Sequence, residues 1–170
     1  MTNATMTRYR RILVPVDGSP TSNLGLIEAV RLAKDQAATL RLVHVLDELI
    51  VVPGAEAVVY LRNTVDLLRE AGQQIVDAAT ALVRRNGLDA ESVVREIIGG
   101  RAAEAIVDEA KQWGADLIVL GTHGRRGVTR LVMGSDAEEI VRTAPVPVRL
   151  VRASGEVTQS TGVAAAAGGK

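Results

Sequence analysis

The chain has 170 residues and carries 20 Lys+Arg against 20 Asp+Glu, a formal net charge of zero. That length suits one ordinary domain, and the charge balance argues against a polyanion such as nucleic acid as partner, which would meet a basic excess or stripe. With no cysteine there is no disulfide, thiolate chemistry or cysteine-held metal; two histidines are too few for a histidine-only metal site, and 2% aromatics leave no stacking platform for single strands.

Strand and helix patterns alternate. Arg10–Val16 (RRILVPV) reads as a first strand and ends at Asp17-Gly18-Ser19-Pro20, where Ser19 caps a helix with Pro20 at its first position. Leu26, Val30, Ala33 and Ala37 recur at helical spacing. Leu40–Leu46 is a second strand. Asp47–Tyr60, with its Pro53-Gly54 turn, reads as a long loop. A long helix then places Leu61, Val65, Leu68, Gly72, Ile75, Ala79 and Leu82 on one face and ends at Arg84, Arg85 and Gly87.

Glu91–Ile98 is a third strand, and Gly99-Gly100 turns into a helix with Ala103, Ile106, Ala110 and Trp113 inward. Asp116–Leu120 is a fourth strand, apolar throughout as a strand covered on both faces would be. A glycine-rich loop runs from Gly121 to Gly134. Ser135-Asp136-Ala137-Glu138 has the form of a capping box opening a short helix, which Pro145 stops. Val146–Val151 is a fifth strand, and Pro147, lacking an N–H, places it at a sheet edge.

The βαβαβαβαβ order implies an α/β fold, an open parallel sheet with helices on both faces. Residues 10–152 are expected to form the domain, 1–9 a flexible N-terminus and 153–170 a disordered tail of Ala, Gly, Ser and Thr. The apolar run Ile12–Val16 is too short for a signal h-region. Charged residues and Pro53 interrupt Leu40–Leu61, so it is no membrane span. A cytoplasmic protein is expected, with neither nucleic acid nor membrane as partner.

In open α/β sheets ligands bind beyond the carboxyl ends of the strands, where the strand order reverses. Asp17 and the glycine loop both fall at such ends. The loop reads Gly121-Thr122-His123-Gly124, nine further residues, then Gly134-Ser135. Glycines let backbone N–H groups approach a phosphate, and the following helix N-terminus adds its positive dipole end. Taken singly, each glycine is an ordinary turn residue and Ser135 an ordinary helix cap. His44 reads as a satisfied core histidine. Arg125, Arg126 and Arg130 serve equally as a solvated rim or as phosphate contacts.

The spacing Gly121-x2-Gly124-x9-Gly134-Ser135 resembles the nucleotide loop of the universal stress proteins, in their ATP-binding branch. The resemblance spans about residues 10–151. It includes Val14-Pro15-Val16-Asp17-Gly18-Ser19, Leu42-Val43-His44-Val45 and Ala144-Pro145-Val146-Pro147-Val148. It implies a single Rossmann-like domain with a five-stranded parallel sheet of order 3-2-1-4-5 sandwiched by four helices, usually in a homodimer. It also implies an ATP ligand, with Asp17 on the adenosine part, Pro15, Val16 and Val45 around the adenine, Gly121 against the ribose, and Thr122 among the ligand-binding residues of the loop. His123, Gly124, Gly134 and Ser135, with the Asp136 N–H, would hold the phosphates.

Asp136 departs from the family's usual Val or Thr. A carboxylate there repels phosphates unless a metal intervenes. It is favoured by the helix dipole on structural grounds; the functional alternatives are a Mg²⁺ ligand or a bias toward ADP or AMP. No GxxxxGK[ST] occurs and no GxGxxG follows the first strand, which argues against P-loop and dinucleotide-binding proteins. A phospho-receiver domain would need an acidic pair after strand one, and Asp17 has no acidic neighbour.

The expected function is a small nucleotide-dependent stress-response module dimerising along the edge strand Val146–Val151. The alternatives are a slow ATPase and an interaction module with an empty loop. No catalytic residue is assigned.

Overall fold

The computed structural model describes residues 8–48, 57–122 and 134–152, with residues 57–63 as backbone. Its elements are β1 (Arg11–Pro15), α1 (Pro20–Gln36), β2 (Thr39–Asp47), α2 (Ala57–Arg85), β3 (Ala90–Ile97), α3 (Ala102–Trp113), β4 (Leu117–Gly121), α4 (Ser135–Thr143) and β5 (Val148–Val151). The sheet order is β3-β2-β1-β4-β5, and every adjacent pair is parallel. This is the expected order, and β5 lies at an edge, as Pro147 requires.

Alternation along the strands divides the core into two layers. Ile12, Val14, Val16, Leu40, Leu42, Leu117 and Val119 cluster with Leu26 and Val30 of α1 and Val76 and Val83 of α2. Leu13, Val43, Ile118 and Leu120 cluster with Ile106, Ala110 and Trp113 of α3 and Ile140 of α4. Both faces are covered, which is why these strands read as unbroken apolar runs.

Ser19 caps α1 through its side chain, accepting the Ser22 N–H, and Pro20 opens the helix. Gly114 and Gly87 follow their helices with positive φ. Four details differ from the sequence reading. The helix α2 begins at Ala57, so residues 57–60 are helical, not loop. Along α2 the expected inward positions Val65, Leu68, Gly72, Ile75, Ala79 and Leu82 are all buried or half-buried, and Val76 and Val83, which the spacing did not single out, are buried beside them. Ala37 is not on α1's inner face but ends it in the left-handed region at φ 52°. The cap of α4 is Gly134, with Ser135 as the first helical residue and no side-chain cap. The expected capping box therefore does not form.

At the amino ends of the strands, Asp116 accepts the backbone N–H groups of Arg10 and Arg11 at 2.8 and 3.0 Å. Trp113 is sandwiched by the guanidinium groups of Arg11 and Arg41, 4.5 and 4.9 Å from its ring centroid. Arg41 also bonds Glu91 and the buried Glu109. Arg8 and Tyr9 are tied to Gln36 at the end of α1.

Candidate functional site

The strand β1 pairs with both β2 and β4, so the chain order reverses between β1 and β4. The connection after β1 turns to one face and that after β4 to the other, which opens a crevice at their carboxyl ends. Asp17 follows β1 directly. Its carboxylate accepts the Ser19 N–H at 2.9 Å and its own N–H donates to Ser22 Oγ at 3.2 Å. Asp17 is thus a turn residue, and the turn fixes its carboxyl group beside the cap of α1.

Gly121 ends β4 against the first turn of α1. A Cβ at Gly121 would overlap the Thr21 carbonyl, and one at Gly25 would come 2.9 Å from the Gly121 nitrogen. The first glycine of the loop therefore lets α1 lie against the end of β4. That approach brings the Asp17–Thr21 segment and the loop motif together. Thr122 is buried; its N–H donates to the Val151 carbonyl at 3.0 Å, and its own carbonyl accepts the Gly134 N–H at 2.9 Å. The two ends of the glycine loop are thereby clamped side by side, next to β5.

From Gly134 the chain enters α4. The first N–H groups of a helix have no intrahelical partner, and the N-cap residue of α4, Gly134, has no side chain to offer them. Ser135 and Asp136 are exposed in this first turn, with Asp136 and Glu138 its acidic residues. His123 and Gly124, with Arg125, Arg126 and Arg130, lie outside the described residues.

Pro15 and Val45, half-buried, occupy the carboxyl ends of β1 and β2. Val45 packs toward the α3/α4 layer, and alternation puts Pro15 on the same side. Val16 differs: its side chain is buried in the α1/α2 layer, and its N–H donates to the Val43 carbonyl at 2.9 Å. Any contact of Val16 with a ligand is left to its backbone. His44 is 4% exposed, with Nδ1 2.7 Å from the Val16 carbonyl, a satisfied core histidine as expected.

Sequence reasoning missed Ser22, Thr21 and Gly25 as supports of the site. Gly25 carried a signal, since an isolated glycine inside a helix marks a close packing contact. Elsewhere, an open groove of about 450 Å³ lies between the carboxyl end of β3 and the start of α3, lined by Val94, Arg95, Glu96, Arg101 and Glu104. Among the described residues, none of the loop motif lines it. Among the described residues no group of three or more His, Asp or Glu is placed to hold a metal ion, and no helix is long and apolar enough to cross a membrane.

Fold and topology define a doubly wound α/β protein, with Asp17 and the two ends of the Gly121–Ser135 loop at its reversal point. The chain belongs to the universal stress protein family, whose model matches residues 8–152. It is 32% identical to a universal stress protein of Methanocaldococcus jannaschii over 85% of this chain and 82% of that one. It is 31% identical to universal stress protein YxiE of Bacillus subtilis over 85% and 99%. Among solved structures, UspA from Lactobacillus plantarum superposes with a TM-score of 0.74 at 28% identity, covering 86% of this chain and 99% of that one. Two more distant members of the fold were solved with adenine nucleotides. An Archaeoglobus fulgidus protein, in complex with dAMP, has a TM-score of 0.58 at 24% identity, with coverage of 85% and 98%. An Arabidopsis thaliana protein, with AMP bound, has a TM-score of 0.61 at 16% identity, with coverage of 89% and 97%.

Proposed function

We propose that this chain binds an adenine nucleotide in the β1/β4 crevice and acts as a nucleotide-dependent regulatory module. One observation carries the reading: the ends of the Gly121–Ser135 loop are clamped together at Thr122 and Gly134, and the second end opens directly into the N-terminus of α4, whose N-cap is a glycine without a side chain. Backbone N–H groups and the dipole there suit a phosphate. The distant nucleotide-bound members share the fold; the nucleotide assignment for this chain rests on its own loop residues.

In this reading Asp17 holds the adenosine part, with Pro15, Val45 and the Val16 backbone around the base. Gly121 lies at the ribose, Thr122 belongs to the ligand-binding loop, and His123, Gly124, Gly134, Ser135 and the Asp136 N–H hold the phosphates. ATP is the favoured ligand, with ADP and AMP the alternatives. Mg²⁺ commonly binds through one or two carboxylates plus phosphate oxygens and water, and the exposed carboxylate of Asp136 suits that role at the phosphate end. Slow ATP hydrolysis is the enzymatic alternative. It requires a base that reaches an attacking water, and His123 and Asp136 are the candidates.

The free edge of β5 is proposed to pair with a second copy across a two-fold axis. Pairing would satisfy the edge's open backbone groups and cover Val146, Val148 and Leu150. Light scattering is expected to give a dimer, and a monomer at all concentrations would overturn this part.

Calorimetric titration of ATP, ADP and AMP, each with and without Mg²⁺, into nucleotide-stripped protein tests the central reading. Saturable binding that Asp17→Ala abolishes is expected. Absence of binding and of any ligand-induced rise in Tm would leave the interaction module as the function.

A further inference from the structure

The ring of His44 is held on two sides. On one, Nδ1 lies 2.7 Å from the Val16 carbonyl, within the interior. On the other, α2 presents Gly72, where a Cβ would stand 3.0 Å from Cδ2 and 3.4 Å from Nε2. The glycine makes room in α2 for an imidazole that reaches across from β2 to the end of β1. A carbonyl oxygen only accepts, so the nitrogen facing it carries the proton. Val16 is the last residue before Asp17, and its N–H is already engaged by Val43. Both backbone polar groups of Val16 are therefore held from β2, its N–H by backbone and its carbonyl by a side chain, and the peptide that joins it to Asp17 is held at its other end by Ser22 Oγ. The chain passes from that held residue into the Asp17–Ser19 turn.

We propose that His44 is a positioning residue for the nucleotide crevice: its Nδ1–H fixes the Val16 carbonyl and thereby the direction in which Asp17 enters the site. His44 touches no ligand in this scheme and acts through Val16. The inference rests on the nucleotide reading for its functional consequence, while the His44–Val16 bond itself exists without ligand.

The test uses the full chain with two substitutions. His44→Asn keeps a donor near the position of Nδ1, and His44→Leu fills the space without one. Affinity for AMP and ATP is measured by calorimetry well below each variant's Tm. Loss of one buried hydrogen bond at the site is expected to weaken binding about tenfold in His44→Leu, with most of it regained in His44→Asn. Val83→Ala, a cavity in the same core layer, supplies a destabilised protein of unchanged affinity. Unweakened binding in His44→Leu, or the same loss in Val83→Ala, would overturn the proposal.

A ligand-free measurement separates failure of this inference from failure of the nucleotide reading. Long-range proton–nitrogen spectra of the apo protein should show Nδ1 protonated. Amide exchange at Asp17 and Ser19 should rise in His44→Leu beyond its rise in Val83→Ala. A ring protonated at Nε2 alone, or unchanged exchange, overturns the role of His44 whether or not any nucleotide binds. If the wild type binds no nucleotide while these signatures hold, the nucleotide reading fails and the pinning of the β1 exit stands.

Discussion

Gly25 and Gly121 lie back to back, α1 against the end of β4, so that a Cβ on Gly25 would stand 2.9 Å from the Gly121 nitrogen and 3.1 Å from the Leu120 carbonyl carbon. Backbone cannot swing aside as a flexible side chain can. Gly25→Ala should therefore destabilise the protein by about 1–3 kcal/mol through overpacking and weaken nucleotide binding by pushing the first turn of α1 off the crevice. Gly114→Ala is the contrasting case: nothing lies within 4 Å, but φ is +71°, so only backbone strain of about 1–2 kcal/mol is expected, with affinity unchanged. Urea denaturation beside calorimetry distinguishes the two.

Asp136 stands in the first turn of α4, where a carboxylate is favoured by the helix dipole. Asp136→Asn should cost about 0.5 kcal/mol of stability and, without Mg²⁺, tighten ATP more than AMP. A loss of ATP affinity confined to Mg²⁺-containing buffer would instead identify Asp136 as a metal ligand.

Ser19→Ala removes the side-chain acceptor of the Ser22 N–H and should cost about 1 kcal/mol. The turn that holds Asp17 is built on the same cap, so nucleotide affinity should fall with it. Asp17→Asn, which keeps an acceptor for the Ser19 N–H, should leave Tm nearly unchanged while still weakening the ligand.

Glu28 ties α1 to β5 by accepting from Arg149 at 2.6 Å while bonding Arg31 at 2.8 Å. The hydrogen bond from Arg31, then the charge of Arg149, holds its carboxyl below the ordinary glutamate value of 4.5. A carboxylate with a lowered folded-state pKa stabilises fully above the unfolded value and loses that contribution as pH falls through the folded one. Wild-type stability should therefore decline below pH 4.5, and Glu28→Gln should be less stable at neutral pH with a shallower acid decline. Parallel acid profiles for the two proteins would contradict the role given to Glu28.

Trp113 is the only tryptophan and is 5% exposed. Its Nε1–H donates to Glu91 at 3.1 Å between the two arginines. Trp113→Ala should cost about 3–5 kcal/mol. This cluster sits at the amino ends of the strands, opposite the crevice, so affinity for nucleotide should survive in the folded fraction. Fluorescence of the wild type should report global unfolding.

The element order, the parallel sheet, the edge position of β5 and the Ser19 cap were legible in the sequence. Each follows from local signals: hydrophobic period, β-rich apolar runs, Pro147 without a donor, and a serine before Pro20. The loop spacing 121–135 was legible as well, because glycine, histidine and serine at fixed offsets do not depend on what packs nearby.

Local chemistry left other features open. Ser135 has the composition of a cap, yet Gly134 takes the position because its N–H is clamped to Thr122 across the loop. The inward stripe of α2 widens to take in Val76 and Val83 beside Gly72, Ile75, Ala79 and Leu82, because packing on β2 and β3 sets the rotation of a helix whose neighbouring positions are almost equally apolar. Gly121, a turn or ligand residue in sequence, proves to face Thr21, and His44 finds its acceptor just past the end of β1, 28 residues away. These are contacts between elements distant in the chain. The sequence by itself determined which strands and helices form and where a phosphate loop could stand. The tertiary structure decided which glycine makes room for a helix, which residue ends the loop and what holds Asp17 in place, since no local pattern encodes the partner across a sheet.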